Sequence, residues 1–161
     1  MRSKYWLLIA ALLTVAVMVL YFYMHPSYKL SLEAKVYYSI GDYDSALKTA
    51  KKAYQMDTYN RMAFTVVVQS RHAKKHLEFI EMAKEYYAKI KKISQQQEVS
   101  KADRVRIKML TQIVLDSYKR LKATPLIDTV LIEDAKKYYE NFMQLQQRLF
   151  KQRSDDVTTT D

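Results

Sequence analysis

The chain of 161 residues contains no cysteine, one glycine and two prolines. Each scarcity excludes something. Without cysteine there is no disulfide, no thiol nucleophile, no Cys-ligated zinc or iron–sulfur site and no lipoprotein-type anchor. A single glycine rules out a Gly-rich phosphate-cradling loop and a nucleophile elbow, because both need several residues without a Cβ close together. Tight hairpins draw on Gly and on Asn-Gly or Asp-Gly pairs, so the lack of turn material argues against all-β and α/β folds and predicts an all-α chain.

Charge is missing from one long stretch. Tyr5 to Met24 reads Y-W-L-L-I-A-A-L-L-T-V-A-V-M-V-L-Y-F-Y-M, with no charged residue, glycine or proline. A helix of that length reaches about 30 Å, the thickness of a bilayer's hydrocarbon core. Two readings compete: a cleaved signal peptide and an uncleaved anchor. A signal peptide has a shorter apolar core ending in a small-x-small site. Here the best such site, Thr14-Val15-Ala16, lies mid-run, and the segment ends in bulky Leu20 to Met24. Aromatics stand at both ends, Tyr5 and Trp6 at one and Tyr21 to Tyr23 at the other, where interfacial belts belong. These features favour a single transmembrane helix over 5–24, with Pro26 stopping it. Arg2 and Lys4 precede the span, and more dilute Lys29 and Lys35 follow it, offset by Glu33. The positive-inside rule then leaves residues 1–4 in the cytoplasm and the body outside, on the periplasmic side of a bacterial inner membrane.

Beyond Met24 the length suits one domain. There 25 Lys and Arg stand against 17 Asp and Glu, a net charge of +8. Such a surface suits anionic lipid, anionic polymer or nucleic acid, but the interspersed acidic residues favour an ordinary solvated helical surface.

Helix signals follow in order. Ser27 is placed to cap a helix from Tyr28, with Leu30, Ala34, Tyr37 and Ile40 on one face. Gly41 ends it, Asp42 caps the next, and Tyr43, Ala46, Leu47, Ala50, Ala53 and Tyr54 form that helix's inner face. Asp57 to Asn60 makes a turn, with Asn60 as the following N-cap.

The pattern Ala34-x-x-Tyr37-x-x-x-Gly41-Asp42-Tyr43-x-x-Ala46-x-x-x-Ala50-x-x-Ala53, followed by Asp57 and Asn60, resembles one tetratricopeptide repeat over 27–60. It departs from the family at Thr58, where proline is usual. The resemblance implies a helical hairpin that stacks on neighbouring hairpins. It also implies that the first helix lines a concave groove for peptides or partner helices, here presenting Tyr28, Ser31, Lys35, Tyr38 and Ser39. Ala83, Tyr87 and Ile90, and then Ala135, Tyr139 and Phe142, repeat the alanine-ladder spacing at offsets that are not uniform. They mark either degenerate repeats or plain bundle helices.

Met62, Ala63, Val66 and Val67 open a helix, and Leu77, Ile80, Ala83, Tyr87 and Ile90 carry either a second helix or the same one continued; no residue between Ala73 and His76 forces a break. Ser94 to Val99 is the best internal loop. Ser100 with Asp103 imitates a capping box ahead of Ile107, Leu110, Val114, Tyr118 and Leu121. Thr124-Pro125 fits an N-cap with Pro at the first helical position. Leu131, Ala135, Tyr138, Phe142, Leu145 and Leu149 form one seam, for packing inside the domain or against a second copy through the Leu131–Leu149 helix. Residues 154–161 are polar and predicted to be disordered.

Catalytic constellations are weak. His72 and His76 share a helix face, but Arg71, Lys74 and Lys75 crowd them with positive charge, which disfavours a metal and predicts surface histidines. Glu78, Glu81 and Glu85 are at helical spacing beside Lys84, the pattern of solvated carboxylates. The basic runs Lys89-x-Lys91-Lys92 and Arg104-x-Arg106-x-Lys108 would suit phosphate, but an exported domain meets no nucleic acid. Tyr37, Tyr43 and Tyr87 fall on core faces; Tyr28, Tyr38, Tyr59 and Tyr86 are candidates for interface anchors.

The sequence thus predicts an N-terminal anchor at 5–24, a helical domain of tetratricopeptide type at 27–153 and a tail. No metal, cofactor or catalytic residue is expected. The expected function is a scaffold or assembly factor of the cell envelope, whose partners are other envelope proteins or peptides. The alternative is a membrane-proximal binder of anionic lipid or polymer.

Overall fold

The computed structural model describes the backbone of residues 2–96, 98–121, 124 and 127–158, and the side chains of these apart from 2–4, 22–23 and 150–158. Among the described residues the chain is all-helical, with six helices and no strand. They are α1 (Arg2–Met24), α2 (Pro26–Ser39), α3 (Tyr43–Met56), α4 (Arg61–Ser94), α5 (Lys101–Lys119) and α6 (Thr129–Thr158). Where the sequence reading has one helical domain over 27–153, the chain divides into two compact units, Met1–Arg71 and His72–Asp161.

In the first unit, α1 ends at Met24, and the next residue, His25, has φ −119° and ψ 79°, outside the helical region. A residue before proline is pushed out of that region by the pyrrolidine ring. Pro26 then occupies the first turn of α2, where its missing N–H costs nothing. Ser27 is therefore inside α2 and not its N-cap, a correction to the sequence reading. Among the described residues no single helix is long and apolar enough to cross a membrane. Tyr5–Tyr21 and Pro26–Ser39 meet that test only together, across a bend of 93°.

The turn between α2 and α3 depends on Gly41, whose φ of +82° lies in the left-handed region. Asp42 N–H donates to Tyr37 O at 3.0 Å and Gly41 N–H to Tyr38 O at 3.1 Å, which satisfies the last carbonyls of α2. The Asp42 carboxylate accepts from Ser45 N–H at 3.0 Å and opens α3. Alanine then sets the packing: Ala34 of α2, Ala46 and Ala50 of α3, and Val66 and Val67 of α4 form one buried cluster, against which Tyr37, Tyr38 and Leu47 pack.

The second unit has its own core. Phe79, Ile80, Ala83 and Ile90 of α4, Ile107, Val114 and Leu115 of α5, and Ala135 and Phe142 of α6 are all buried together. Tyr118 stacks on Tyr139 with ring centroids 4.3 Å apart. The seam of α6 is used here: Leu131, Tyr138, Leu145 and Leu149 pack against this core beside Ala135 and Phe142. α5 begins as its sequence predicts, with Ser100 Oγ accepting from Asp103 N–H at 3.1 Å.

α4 is one helix of 34 residues, the continuous form of the two alternatives the sequence leaves open, because nothing between Ala73 and His76 interrupts its hydrogen bonding. Three further local expectations are revised. α6 begins at Thr129, where the Asp128 carboxylate accepts from Val130 N–H at 3.0 Å, and not after Thr124; Pro125 lies outside the described residues. α6 also runs on through Ser154 to Thr158, a stretch without Gly or Pro where the sequence predicts disorder; residues 159–161 lie outside the described residues. His76 is buried rather than on the surface, with Nδ1 2.9 Å from His72 O.

Candidate interaction surface

The surface that matters is built on α2, which has three sides with different fates. One side enters the core of the first unit. Ser27, Ser31 and Ala34 are buried there. Ser27 Oγ–H donates to Ala53 O at 2.9 Å, and Ser31 Oγ–H donates to Tyr28 O at 2.8 Å. The Asn60 side-chain amide donates to both hydroxyls, at 2.9 Å to Ser27 and 3.3 Å to Ser31. Its carbonyl oxygen accepts from Ala63 N–H at 3.0 Å and so caps α4. Every polar atom of this buried trio has a partner, as a polar group out of reach of water requires.

This network changes the standing of the residues that the tetratricopeptide resemblance places in a groove. Ser31 is 0% exposed, so no partner reaches it. Tyr38 packs against the alanine cluster and meets Tyr43 edge-on at 5.3 Å. Tyr28 is half-buried, with its ring 5.9 Å from Tyr21 and 6.1 Å from His25. Of the five, Lys35 and Ser39 are exposed, and the Ser39 hydroxyl donates to Val36 O at 2.8 Å within the helix. The five residues therefore divide between core and surface and do not form one lining.

A second side of α2 opens onto a groove with α3. Half-buried Leu30, Tyr37 and Leu47 line it together with exposed Glu33, Asp44 and Lys48, and its volume is about 910 Å³. Lys51 and Lys52 extend its basic wall along α3. No residue of α4 lines this groove, whereas Val66 and Val67 of α4 cover the alanine face of the same hairpin. Sequence reasoning missed this side. The signal was present in Leu30, Tyr37 and Leu47, which periodicity alone assigns to the core.

The third side of α2 carries Leu32, Val36 and Ile40, which are 48%, 54% and 69% exposed. The described apolar residues of α1, from Tyr5 to Tyr21 and at Met24, are exposed as well, on every side of the helix. A helix that is apolar all round needs an apolar environment around it. Thr14, its one hydroxyl residue between Tyr5 and Leu20, donates back to Ala10 O at 2.8 Å and leaves no unmet hydrogen.

The remaining candidates are dispersed. Tyr87 is 51% exposed and touches Phe142 edge-on, which corrects its assignment to the core. Tyr59 is almost wholly exposed, and Tyr86 packs on the core of the second unit. The basic runs are partly neutralised: Lys89 pairs with Glu85 at 2.6 Å and Arg106 meets Asp103 at 3.5 Å. No group of three potential metal ligands occurs among the described residues. Comparison with protein-family models, with curated proteins and with solved structures gives no match.

Proposed function

We propose that this protein is a membrane-anchored, non-catalytic scaffold or assembly factor of the bacterial cell envelope. α1 is its anchor, and the helical body beyond Pro26 stands on the periplasmic face. The observation that carries this reading is α1 itself: its apolar side chains are exposed on all sides, and it leads directly into a folded helical body. In water that arrangement is unfavourable, since burial of apolar surface contributes about 25 cal/mol per Å². A bilayer supplies the missing burial.

The body resembles a tetratricopeptide hairpin from α2 to α3, stacked on the start of α4. Hairpins of this kind bury one face on each neighbour. The side covered by Val66 and Val67 has its neighbour, and the groove of Leu30, Tyr37 and Leu47 awaits one. Its occupant is a helix of another envelope protein, apolar on one face and acidic along the edge that meets Lys48, Lys51 and Lys52. The partner belongs to a larger envelope machine, of which this chain holds one helix at a fixed height above the bilayer.

Two measurements test this. Membranes washed at alkaline pH retain the full chain, and release into the wash overturns the anchor. A photocrosslinking side chain in place of Gln55, on the groove wall, gives a discrete product with one protein in native membranes. No product from that position, with a product from the Lys89 region lost at high salt, favours the polyanion alternative instead.

A further inference from the structure

The exposed apolar side of α2 remains to be explained, and the geometry of the bend says what covers it. α2 leaves α1 at 93°. If α1 crosses a bilayer near its normal, α2 runs along the membrane plane. The side of α2 that faces the bilayer is the side that meets α1, and Tyr28 identifies it, because its ring lies 5.9 Å from that of Tyr21 in the last turn of α1. At about 100° per residue, Leu32 and Val36 stay within about 80° of Tyr28 around the helix, and Lys35 and Ser39 lie closer still. Leu32 and Val36 are 48% and 54% exposed, and neither belongs to the buried cluster of the first unit.

We infer that α2 is an interfacial helix: Tyr28, Leu32 and Val36 sink into the headgroup and acyl boundary of the bilayer that α1 crosses, while Lys29 and Lys35 reach its phosphates. This rests on α1 being the membrane anchor. An apolar stripe with flanking lysines is the composition of helices that lie in the interface, since long lysine side chains bury their stems and keep the ammonium among the headgroups. Anionic lipid adds an attraction for each lysine. Placement follows for the rest of the unit. The Ser27–Ser31–Asn60 side turns into the protein core, and the Leu30–Tyr37–Leu47 groove opens away from the lipid-facing stripe. Lys35 and Ser39, expected from the sequence to line a peptide groove, instead face lipid headgroups.

The chain has no cysteine, so single-cysteine variants of the full protein each carry one fluorophore at a known site. Val36→Cys, Gln55→Cys and Leu13→Cys, each labelled with an environment-sensitive dye, are reconstituted in vesicles of phosphatidylethanolamine and phosphatidylglycerol. Expected is quenching of the Leu13 label by lipids spin-labelled deep in the acyl chain, and of the Val36 label by lipids spin-labelled near the headgroup, about twofold. The Gln55 label responds to aqueous iodide alone. If Leu13 is quenched by lipid while Val36 responds to iodide as Gln55 does, the interfacial helix is overturned and the anchor stands. If Val36 is silent to both quenchers, protein covers it and the inference fails again. Iodide quenching of the Leu13 label sinks the anchor reading and this inference together.

Discussion

Asn60 Nδ2 lies 2.9 Å from Ser27 Oγ, a buried hydrogen bond between residues 33 apart in the chain. It ties the first turn of α2 to the N-terminus of α4, while the other end of the same amide caps α4 through Ala63 N–H. One side chain therefore closes the three-helix arrangement on which the groove depends.

Asn60→Ala removes the cap and leaves two buried hydroxyls without their donor. Loss of a cap costs about 1 kcal/mol. The hydroxyls still donate to Ala53 O and Tyr28 O and lose only the bond each accepts, about 0.5–1.5 kcal/mol apiece. The expected destabilisation is about 2–4 kcal/mol, read from denaturant unfolding followed by circular dichroism. A change below about 0.5 kcal/mol would mean that the network does not hold α2 to α4.

Gly41→Ala forces a Cβ into a left-handed residue, but that Cβ has nothing within 4 Å to strike. The expected cost is thus the backbone term alone, about 1 kcal/mol, with Gly41→Asn less harmful because Asn tolerates this region. Unfolding of the two variants side by side checks the order; a larger loss in the Asn variant contradicts it.

The Asp42 carboxyl is held below its ordinary range, chiefly by the hydrogen bond from Ser45 N–H. A depressed folded-state pKa gives stability that is present above the unfolded value, near 3.9, and lost as pH falls through the folded one. Asp42→Asn keeps an acceptor for Ser45 and removes that titration. The acid limb of the stability curve flattens in this variant without vanishing, because Asp116 is depressed too, first by its hydrogen bond from Gln112. An unchanged acid limb in Asp42→Asn refutes the cap's part in it.

Phe142 and Tyr87 touch edge-on at 6.5 Å, yet one is 1% exposed and the other 51%. Phe142→Ala is expected to cost about 3–5 kcal/mol, the range for a large buried aromatic. Tyr87→Ala at the surface should cost about 1 kcal/mol or less. Equal losses from the two would show that Tyr87 is buried in solution by something else.

Much of the fold was legible because its signals are short-ranged. As turn and cap residues, Gly41, Asp42, Asn60 and Ser100 bond within three or four residues of themselves, so the sequence locates the turn after α2 and the starts of α3, α4 and α5. The start of α6 was not legible: Thr124-Pro125 carries the right residue types, but the helix opens on Asp128 four residues later. The groove set was legible only in part, because Ser31 and Lys35 are one turn apart on α2 and only burial separates them.

Composition, helical period and local caps act along the backbone, and they suffice for an all-helical chain, its hairpin turn and the uncharged run at its start. Which polar residues of α2 go inside, that Asn60 satisfies them, and which sides of that helix stay open follow from packing alone. Those outcomes depend on which faces of distant helices meet, and a period of 3.6 residues carries no information about what stands opposite.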